Sequence, residues 1–497
     1  MTRSQLLNVL EVFAAVLALF SLCFVPAICL AALTSTALID DFINPALFSI
    51  SCAGALYGAS RIWREEERRK PELRAREAML IVALCWTLLP AFAALPLWTY
   101  FSALNQDFTF TRAYFEAVSG LTTTGATTLS GLDDLPISIN FWRLFLQWIG
   151  GMGILILAIA IIPLIGVGGG QLFRSEATGP LKDKKLTPRI TETAKGLWLV
   201  YCALTALCAG SYWIAGMTPS DAILHSFSTL SLGGLSTHDS SFAYFNSSSI
   251  EWVAIFFMLI ASGNFALYFV AIYRRSIGGI FTDSEFRYAL LIQIGLSLFI
   301  FFSLASLQQI SLAFESLRTV LFNVVSIAST TGYASTDYTT WPLVFPLLMI
   351  LFSSFSTSAG STGAGIKTVR LMVVVQQFQR EFRKSIHPRI IDPVRIDSAS
   401  LDNRTVFGIA VFTLIYIATA MFLTILFIAS GMQFDTALSA TLATLNNMGP
   451  GLNEIGPSGN YSGLSHFQLW VCNVSMILGR IELTSLLVLL STYFWRS

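Results

Sequence analysis

Four short segments combine small polar residues with a glycine inside otherwise apolar stretches of this 497-residue chain. They read SGLTTTGAT (119–127), FSTLSLGGLST (227–237), SIASTTGYA (326–334) and TLNNMGPG (444–451). Backbone carbonyl oxygens can replace the water shell of a dehydrated K⁺ ion where four strands meet on one axis. A backbone that turns its carbonyl groups inward favours glycine, which adopts conformations that a Cβ atom disfavours. The segments therefore predict a cation site that is built from main-chain oxygen atoms.

The glycines that align across the segments are Gly125, Gly233, Gly332 and Gly449. Each follows a stretch that is compatible with a short helix, whose negative C-terminal end would favour a cation. Acidic residues near three of the predicted helix starts suit the positive ends, although they are equally compatible with solvated loop charges; they are Asp221, Glu315 and Asp435. A single Thr-Thr-Gly is also typical of close helix packing. Four such segments at corresponding positions favour a fourfold internal repeat.

The composition places these segments in a membrane. Hydrophobic residues make up 54% of the chain and charged residues 12%, against about 25% charged residues in a typical soluble domain. Several apolar runs exceed the roughly 20 residues that are needed to cross a bilayer. We therefore predict an all-α polytopic membrane protein and exclude a soluble enzyme. The net charge of +1 offers no excess of positive charge for phosphates, so no nucleic-acid partner is expected.

Basic residues cluster in four polar loops, which the positive-inside rule assigns to the cytoplasm together with both termini. A helix pair near 6–33 and 43–60 precedes four units that each begin and end at this face. The predicted domains are 1–77 (helix pair and basic loop), 78–193 (repeat 1), 194–284 (repeat 2), 285–402 (repeat 3, with a broken second helix) and 403–497 (repeat 4). Each repeat has a first helix, a glycine segment and a second helix, and all four repeats are parallel.

Two further features fall within the predicted membrane spans. The run SSFSTSAGSTGAG (353–365) weakens a continuous helix and predicts an unwound loop beneath the glycine segments. The alternative is a kinked helix that packs closely through its small residues. Arg480 lies in the last apolar segment, where a charge should face a polar cavity or a partner. We hypothesise that Arg480 forms an electrostatic barrier and contacts the carbonyl groups of 357–365; the alternative is an ion pair with Glu482.

At these residues the chain resembles the Trk/Ktr/HKT family of potassium transporters. The segments that carry the resemblance are 119–127, 227–239, 329–333 and 446–451. The resemblance covers essentially the whole chain, and the N-terminal helix pair favours the Trk branch. It implies four helix–pore-loop–helix units around a pseudo-fourfold pore, in which loop carbonyls bind K⁺. The implied filter residues are Thr123, Thr124, Gly125, Ser231, Leu232, Gly233, Thr330, Thr331, Gly332, Asn447, Met448 and Gly449.

The resemblance also implies how the pore is closed and which ion passes it. An intramembrane loop gates the pore in this family, and the implied gate residues are Ser356, Thr357, Gly360, Gly363, Gly365 and Arg480. The second and fourth segments depart from Thr-Thr-Gly, as Ser-Leu-Gly and Asn-Met-Gly, which leaves a looser filter open. Gly125 favours K⁺, because a serine at this position goes with Na⁺ transport in the plant relatives.

Partners and location are likewise implied by the resemblance. It implies a homodimer in the lipid of the bacterial inner membrane, bound to a cytosolic nucleotide-binding ring. The ring would be a separate protein, because the chain carries no GxGxxG on a βαβ pattern. No organic cofactor is expected beside the transported K⁺. Permeability to Na⁺, or coupling to H⁺ or Na⁺, is the alternative function.

Two other classes of function are disfavoured. An intramembrane enzyme would need a catalytic constellation, but the four histidines form no metal-ligand pair and no nucleophile elbow is present. A secondary transporter with inverted repeats would need units of opposite orientation, whereas the repeats predicted here are parallel.

Overall fold

The computed structural model describes residues 3–63, 75–153, 190–397, 399–481 and 483–495. These residues are predominantly helical, which confirms the predicted all-α class. The basic residues within 64–74 and 174–189, and Glu482, lie outside the described residues. Within the described part, six helical stretches are long and apolar enough to cross a membrane, and a bent pair adds a seventh.

The N-terminal helix pair packs against the first unit. Its helices are α1 (Arg3–Ser21), α2 (Phe24–Thr34) and α3 (Ile39–Ile62). The first apolar run, predicted as one helix, is therefore divided at residues 22–23, shortly before a proline that has no N–H group to donate. The face of α2 packs on the first unit, where the ring of Phe24 stacks on Trp142 with 4.6 Å between centroids.

The four units repeat the order of first helix, short helix, glycine segment and second helix. The first unit has α4 (Ala75–Ala93), α5 (Leu95–Leu104), α6 (Phe110–Leu121) and α7 (Ile137–Gly151). The second has α8 (Ile190–Ile214), α9 (Pro219–Ser231), α10 (Ser248–Ala261), α11 (Phe265–Arg274) and α12 (Gly278–Thr282). The third has α13 (Ser284–Ser306), α14 (Phe314–Ala328), α15 (Val344–Ser353) and α16 (Thr368–Ile386). The fourth has α17 (Asn403–Ala429), α18 (Phe434–Leu445), α19 (His466–Arg480), α20 (Leu483–Leu490) and α21 (Thr492–Trp495).

Between the third and fourth units lies a small hairpin of β1 (Arg395–Ile396) and β2 (Ala399–Ser400), which pair antiparallel. Val394 and Ile396 are buried with residues of α16 and α17 in a separate apolar cluster. The hairpin thus ties the end of the third unit to the beginning of the fourth. The exact residue limits of the four units stay a prediction.

The units close into a ring through their short helices. Each short helix packs against the second helix of the preceding unit, as α9 on α7, α14 on α10 and α18 on α15. The ring closes because α6 of the first unit packs against α19 of the fourth. All four short helices end just before their glycine segments, so their C-terminal ends converge on one place.

Second helices of the units are interrupted close to this place. In the second unit, α10 and α11 meet at an angle of 88° across three residues, 262–264. In the third unit, α15 and α16 are separated by the irregular residues 354–367. The Ser/Gly-rich run therefore forms an unwound loop, not a kinked helix.

Candidate functional site

The four glycine segments share one backbone conformation. In each, the residue two positions before a glycine has a left-handed φ, between 49° and 65°, at Thr123, Leu232, Thr330 and Asn447. The following amide then donates back to the helix, as Thr124 N to Ser119 O at 2.8 Å and Thr331 N to Ser326 O at 2.8 Å. A glycine with φ between 77° and 95° comes next, at Gly125, Gly234, Gly332 and Gly449. Thr123, Leu232, Thr330 and Asn447 are at most 1% exposed, so their strained backbone is held by its surroundings.

The segments touch one another in cyclic order through these glycines. A Cβ atom placed on each glycine would lie 2.6 Å or less from a carbonyl oxygen of the next segment. The pairs are Gly125 with Gly233 O, Gly234 with Thr331 O, Gly332 with Met448 O, and Gly449 with Thr124 O. The fourth pair returns to the first segment, so the four segments encircle a common axis. We call these four glycines, with the two residues before each of them, the glycine ring.

The predicted alignment of the second segment is wrong by one residue. The structure places Gly234 at the position equivalent to Gly125, and Gly233 at the position of Thr124. Ser231, predicted to be part of the filter, consequently precedes the three residues Leu232–Gly234 that match Thr123–Gly125. The register is set by the amide of Gly233, which donates to Ser228 O at 2.9 Å as its counterparts do.

Gln147 on α7 explains why two glycines stand side by side. Its Nε2 donates to Gly233 O at 2.5 Å and its Oε1 accepts from Leu235 N at 3.2 Å. A Cβ on Gly233 would lie 2.6 Å from Gln147 Oε1, so this glycine makes room for a side chain. Gly234 makes room for the neighbouring backbone instead. The two positions therefore require glycine for different reasons, a side chain at Gly233 and a backbone carbonyl group at Gly234.

Other polar side chains connect neighbouring quarters of the glycine ring. Asn447 Nδ2 donates to Thr124 Oγ1 at 2.9 Å and to Met476 O at 2.9 Å. Tyr461 donates its hydroxyl hydrogen to Gly449 O at 2.7 Å. The first and fourth segments are thus hydrogen-bonded to each other as well as packed.

Five of the six predicted gate residues, all except Arg480, lie in the irregular stretch 354–367, which we call the loop. Gly360 and Gly365 have φ of 81° and 84°, and a Cβ on Gly360 would lie 2.6 Å from Asn264 Oδ1. Thr357 donates to Ala364 O at 3.0 Å, which closes the loop on itself. Ser356 O accepts from Gln293 Nε2 at 2.7 Å. The loop is therefore an ordered, hydrogen-bonded element.

The tip of the loop touches the glycine ring. Thr362 Oγ1 donates to Leu230 O at 3.0 Å in the second unit. A Cβ on Gly363 would lie 2.9 Å from Thr330 Oγ1 in the third segment. The amine of Lys367 donates to Gly363 O within the loop. The tip therefore lies on the side of the ring where the short helices end.

Arg480, at the C-terminal end of α19, joins the loop to the ring. Its Nη1 donates to Thr362 O at 2.9 Å and to Thr123 Oγ1 at 3.1 Å. Its Nη2 donates to Gly151 O at 2.9 Å and also to Gly150 O. The guanidinium group lies 5.4 Å from the centroid of the Trp86 ring. One side chain of the fourth unit thereby contacts both the first and the third unit.

His238 links the first and second units on the side of the ring where the short helices begin. The chain of the second unit reaches this side after it leaves the ring. His238 Nδ1 lies 2.5 Å from Asp133 Oδ1, and its Nε2 lies 3.5 Å from Asp221 Oδ1. Partial burial alone would lower the pKa of His238, but its contacts with these two carboxylates outweigh burial and raise it. Desolvation alone would raise the pKa of Asp133, but the hydrogen bond with His238 outweighs it and lowers that pKa. Both shifts favour the charged pair.

Comparisons with known proteins agree with this architecture. The family model described as TrkH, cation transport protein, matches residues 44–495. The chain belongs to the TrkH family. Among its relatives, the Trk system potassium uptake protein TrkH of Vibrio parahaemolyticus is 42% identical over 89% of this chain and 90% of that one. The protein of the same name from Halomonas elongata is 40% identical over 98% and 99%.

A solved structure of a TrkH family member matches over the whole fold. The crystal structure of the potassium transporter TrkH from Vibrio parahaemolyticus superposes with a TM-score of 0.87 at 37% identity. The match covers 99% of this chain and 100% of that one. The family resemblance and the fold class inferred from the sequence are thereby confirmed. Since the relatives are named as potassium uptake proteins, the expectation that this TrkH family member is not an enzyme is confirmed too.

Family membership and the apolar helices together make this chain an integral membrane protein. Within the residues that the structure describes, no group of three or more His, Cys, Asp or Glu side chains could hold a metal ion. The acidic residues predicted near short-helix starts do lie in first turns, at Asp221 of α9, Glu315 of α14 and Asp435 of α18.

Several residues at the site of this TrkH family member were missed in the sequence. The pattern of the second segment points to Gly233, whereas the structure uses its neighbour Gly234 at this position. Gln147 and Gln293 are fully buried amides that hold the ring and the loop, respectively. Glu285 contacts the loop from the start of α13. A polar residue within an apolar helix is the signal that could have found the two glutamines.

Proposed function

We propose that this chain takes up K⁺ across the bacterial inner membrane through a channel-like pore on the axis of the glycine ring. The observation that carries the proposal is the cyclic contact of four glycines with four carbonyl groups. A ring of backbone oxygens suits a dehydrated monovalent cation, because neutral carbonyl dipoles replace its water shell without any charged side chain. Relatives named as potassium uptake proteins support K⁺ as the ion.

The filter that we propose follows the register of the structure. Its residues are Thr123–Gly125, Leu232–Gly234, Thr330–Gly332 and Asn447–Gly449. Departures from Thr-Thr-Gly matter little if only main-chain oxygens bind the ion, since every residue offers the same carbonyl group. The C-terminal ends of four short helices converge beside the ring and favour a cation there.

The loop and Arg480 form the proposed gate. Thr362 and Gly363 approach the ring from the side of the short-helix ends, where they would obstruct an ion that leaves the filter. The charge of Arg480, held between Thr362 and Thr123, would repel a cation in the same place. Opening then requires that the loop tip leave the ring.

Location and partners complete the proposal. The relatives are named as members of a Trk system, which supports a membrane subunit that works with other proteins. We place both termini and the basic loops in the cytoplasm, where a separate nucleotide-binding ring would control the gate of a homodimer. Potassium is the transported ion in this proposal, and no organic cofactor takes part.

A flux measurement tests the function. The purified protein is reconstituted into liposomes, and ⁸⁶Rb⁺ uptake is measured with K⁺ or Na⁺ as competitor, with empty liposomes as control. K⁺ is expected to suppress the uptake at concentrations at which Na⁺ does not. Equal competition by Na⁺ would support the Na⁺-permeable alternative. Uptake that requires a gradient of H⁺ or Na⁺ would support coupling.

A further inference from the structure

Glu285 is a buried carboxylate that accepts hydrogen bonds from one backbone amide on each side of the loop tip. It lies in the first turn of α13 and is 9% exposed. Its Oε1 accepts hydrogen bonds from Ala359 N at 2.6 Å and from Val369 N at 3.3 Å. Residues 360–368 lie between these two amides. One side chain therefore closes the base of the stretch whose tip touches the glycine ring.

The bond to Val369 has a second role at the beginning of α16. The first N–H groups of a helix have no partner within the helix and are usually capped by a neighbouring side chain. Lys367, at the N-cap position of α16, has a left-handed φ of 77° and makes no capping bond. Glu285 supplies an acceptor from another helix instead, and its negative charge suits the positive end of α16.

The surroundings of Glu285 hold the same part of the loop. Ser358 N donates to Ser262 O at 2.9 Å, and Phe265 N donates to Gly360 O at 3.1 Å, both at the 88° bend of the second unit. Gln293, two turns further along α13, donates to Ser356 O. The base of the loop is thus bonded to α13 and to the bend, whereas the tip is bonded to Arg480 and Leu230.

We propose that Glu285 is a positioning residue that fixes the base of the loop, so that the tip moves about Ala359 and Val369 as pivots. This inference rests on the proposed gating function of the loop. A carboxylate that accepts two backbone hydrogen bonds in a buried place stabilises one loop position, because those N–H groups would otherwise lack a partner. Loss of its charge shifts the loop away from the closed position.

Glu285→Gln tests this inference, because the amide keeps the shape and one acceptor oxygen but loses the charge. Asp283→Asn is the matched control: Asp283 lies two residues earlier and caps Phe286 N at 2.8 Å within its own helix. In liposomes, basal ⁸⁶Rb⁺ flux is expected to rise about fivefold to tenfold in Glu285→Gln, the effect of one charge-assisted hydrogen bond. Asp283→Asn is expected to stay within about twofold of the parent.

A second readout follows the loop without using flux. Ser361→Cys is introduced into the parent, Glu285→Gln and Asp283→Asn proteins, and modification by a charged thiol reagent is timed in detergent solution. The rate is expected to rise by the same factor in Glu285→Gln alone. Glu285→Asp, which keeps the charge but is shorter, should fall between parent and Glu285→Gln, and serves if the glutamine variant does not fold.

The outcomes separate this inference from the proposed function. Equal flux and equal modification rates in Glu285→Gln and Asp283→Asn, with a conducting parent, would overturn the role of Glu285. A parent that carries no ⁸⁶Rb⁺ at all would contradict the proposed function, whereas the modification rates would still report whether Glu285 holds the loop.

Discussion

Arg480 donates a hydrogen bond of 2.9 Å to the carbonyl oxygen of Thr362, so the last unit of the chain holds the loop of the third unit. The same nitrogen atom also donates to Thr123 at 3.1 Å, in the first glycine segment. The loop tip and the glycine ring are therefore not merely adjacent but share one cationic donor.

Substitution of Arg480 is expected to open the proposed gate. Arg480→Ala removes the bonds to the loop and the local positive charge, so basal ⁸⁶Rb⁺ flux should rise at least about fivefold. Arg480→Lys keeps the charge but cannot make the forked contacts of a guanidinium group. A lysine variant that conducts like the parent assigns the effect to charge, and one that conducts like the alanine variant assigns it to the hydrogen bonds.

Arg112 provides a matched control for this prediction. It also joins the first and fourth units through a backbone carbonyl, since its Nη2 donates to Ser462 O at 3.1 Å. It makes no described contact with the loop. Arg112→Ala should leave basal flux near that of the parent, and unchanged flux in Arg480→Ala would refute the barrier hypothesis.

Gly332→Ala is expected to break the glycine ring. The new Cβ would overlap Met448 O, and the residue would keep a disfavoured φ of 89°. We expect flux to fall more than about tenfold and the protein to lose at least about 1–3 kcal/mol of stability. Gly431 has a similar φ of 94°, but no atom lies within 4 Å of its Cβ position. Gly431→Ala therefore measures the φ penalty alone, about 1–2 kcal/mol, and should conduct normally.

Alanine substitutions at Gly233 and Gly234 should respond differently when the Gln147 side chain is truncated. Gly233→Ala meets the Gln147 side chain, so the double variant with Gln147→Ala should conduct better than Gly233→Ala alone. Gly234→Ala meets the backbone carbonyl of Thr331, which no side-chain truncation can remove. Its flux should stay at least about tenfold below the parent with or without Gln147→Ala. Rescue of Gly234→Ala in the flux assay would contradict the register described above.

His238 should make thermal stability depend on pH. Its pKa is raised in the folded protein, so its contribution is fully present below about pH 6.5, its ordinary value. That contribution, about 1 kcal/mol, is lost as the pH rises through the folded pKa. The melting temperature in detergent should therefore fall above pH 6.5, and His238→Gln should flatten this part of the curve. A variant that keeps the full slope would show that another group titrates.

The repeat could be predicted because each segment carries its pattern in a few consecutive residues. The unwound loop was predictable for the same reason, since eight of the thirteen residues of 353–365 are serine or glycine. Among the four segments, only the register of the second was wrong. Gly233 and Gly234 differ in the structure by what their missing Cβ atoms would touch, Gln147 for one and Thr331 for the other. Neither neighbour is visible in the local sequence.

Two other features depended on distant partners. In the sequence alone, Glu285 resembles an ordinary charged residue at the polar start of a membrane span. Its loop partner Ala359 lies 74 positions later and cannot be inferred from nearby residues. The bend at 262–264 carries one Ser-Gly-Asn, which also occurs where helices simply end. Its position is set by hydrogen bonds with Ser358 and Gly360 of the third unit.

The loop beneath the ring comes from the third unit, and its tip touches three of the four quarters. Four identical subunits would each bring such a loop to the same axis, where the tip of a single one already contacts Leu230, Thr330 and Arg480. Covalent linkage of the four units removes this conflict, since a mutation then alters one unit without altering the other three. A single polypeptide can thus evolve one asymmetric loop within a nearly fourfold-symmetric frame.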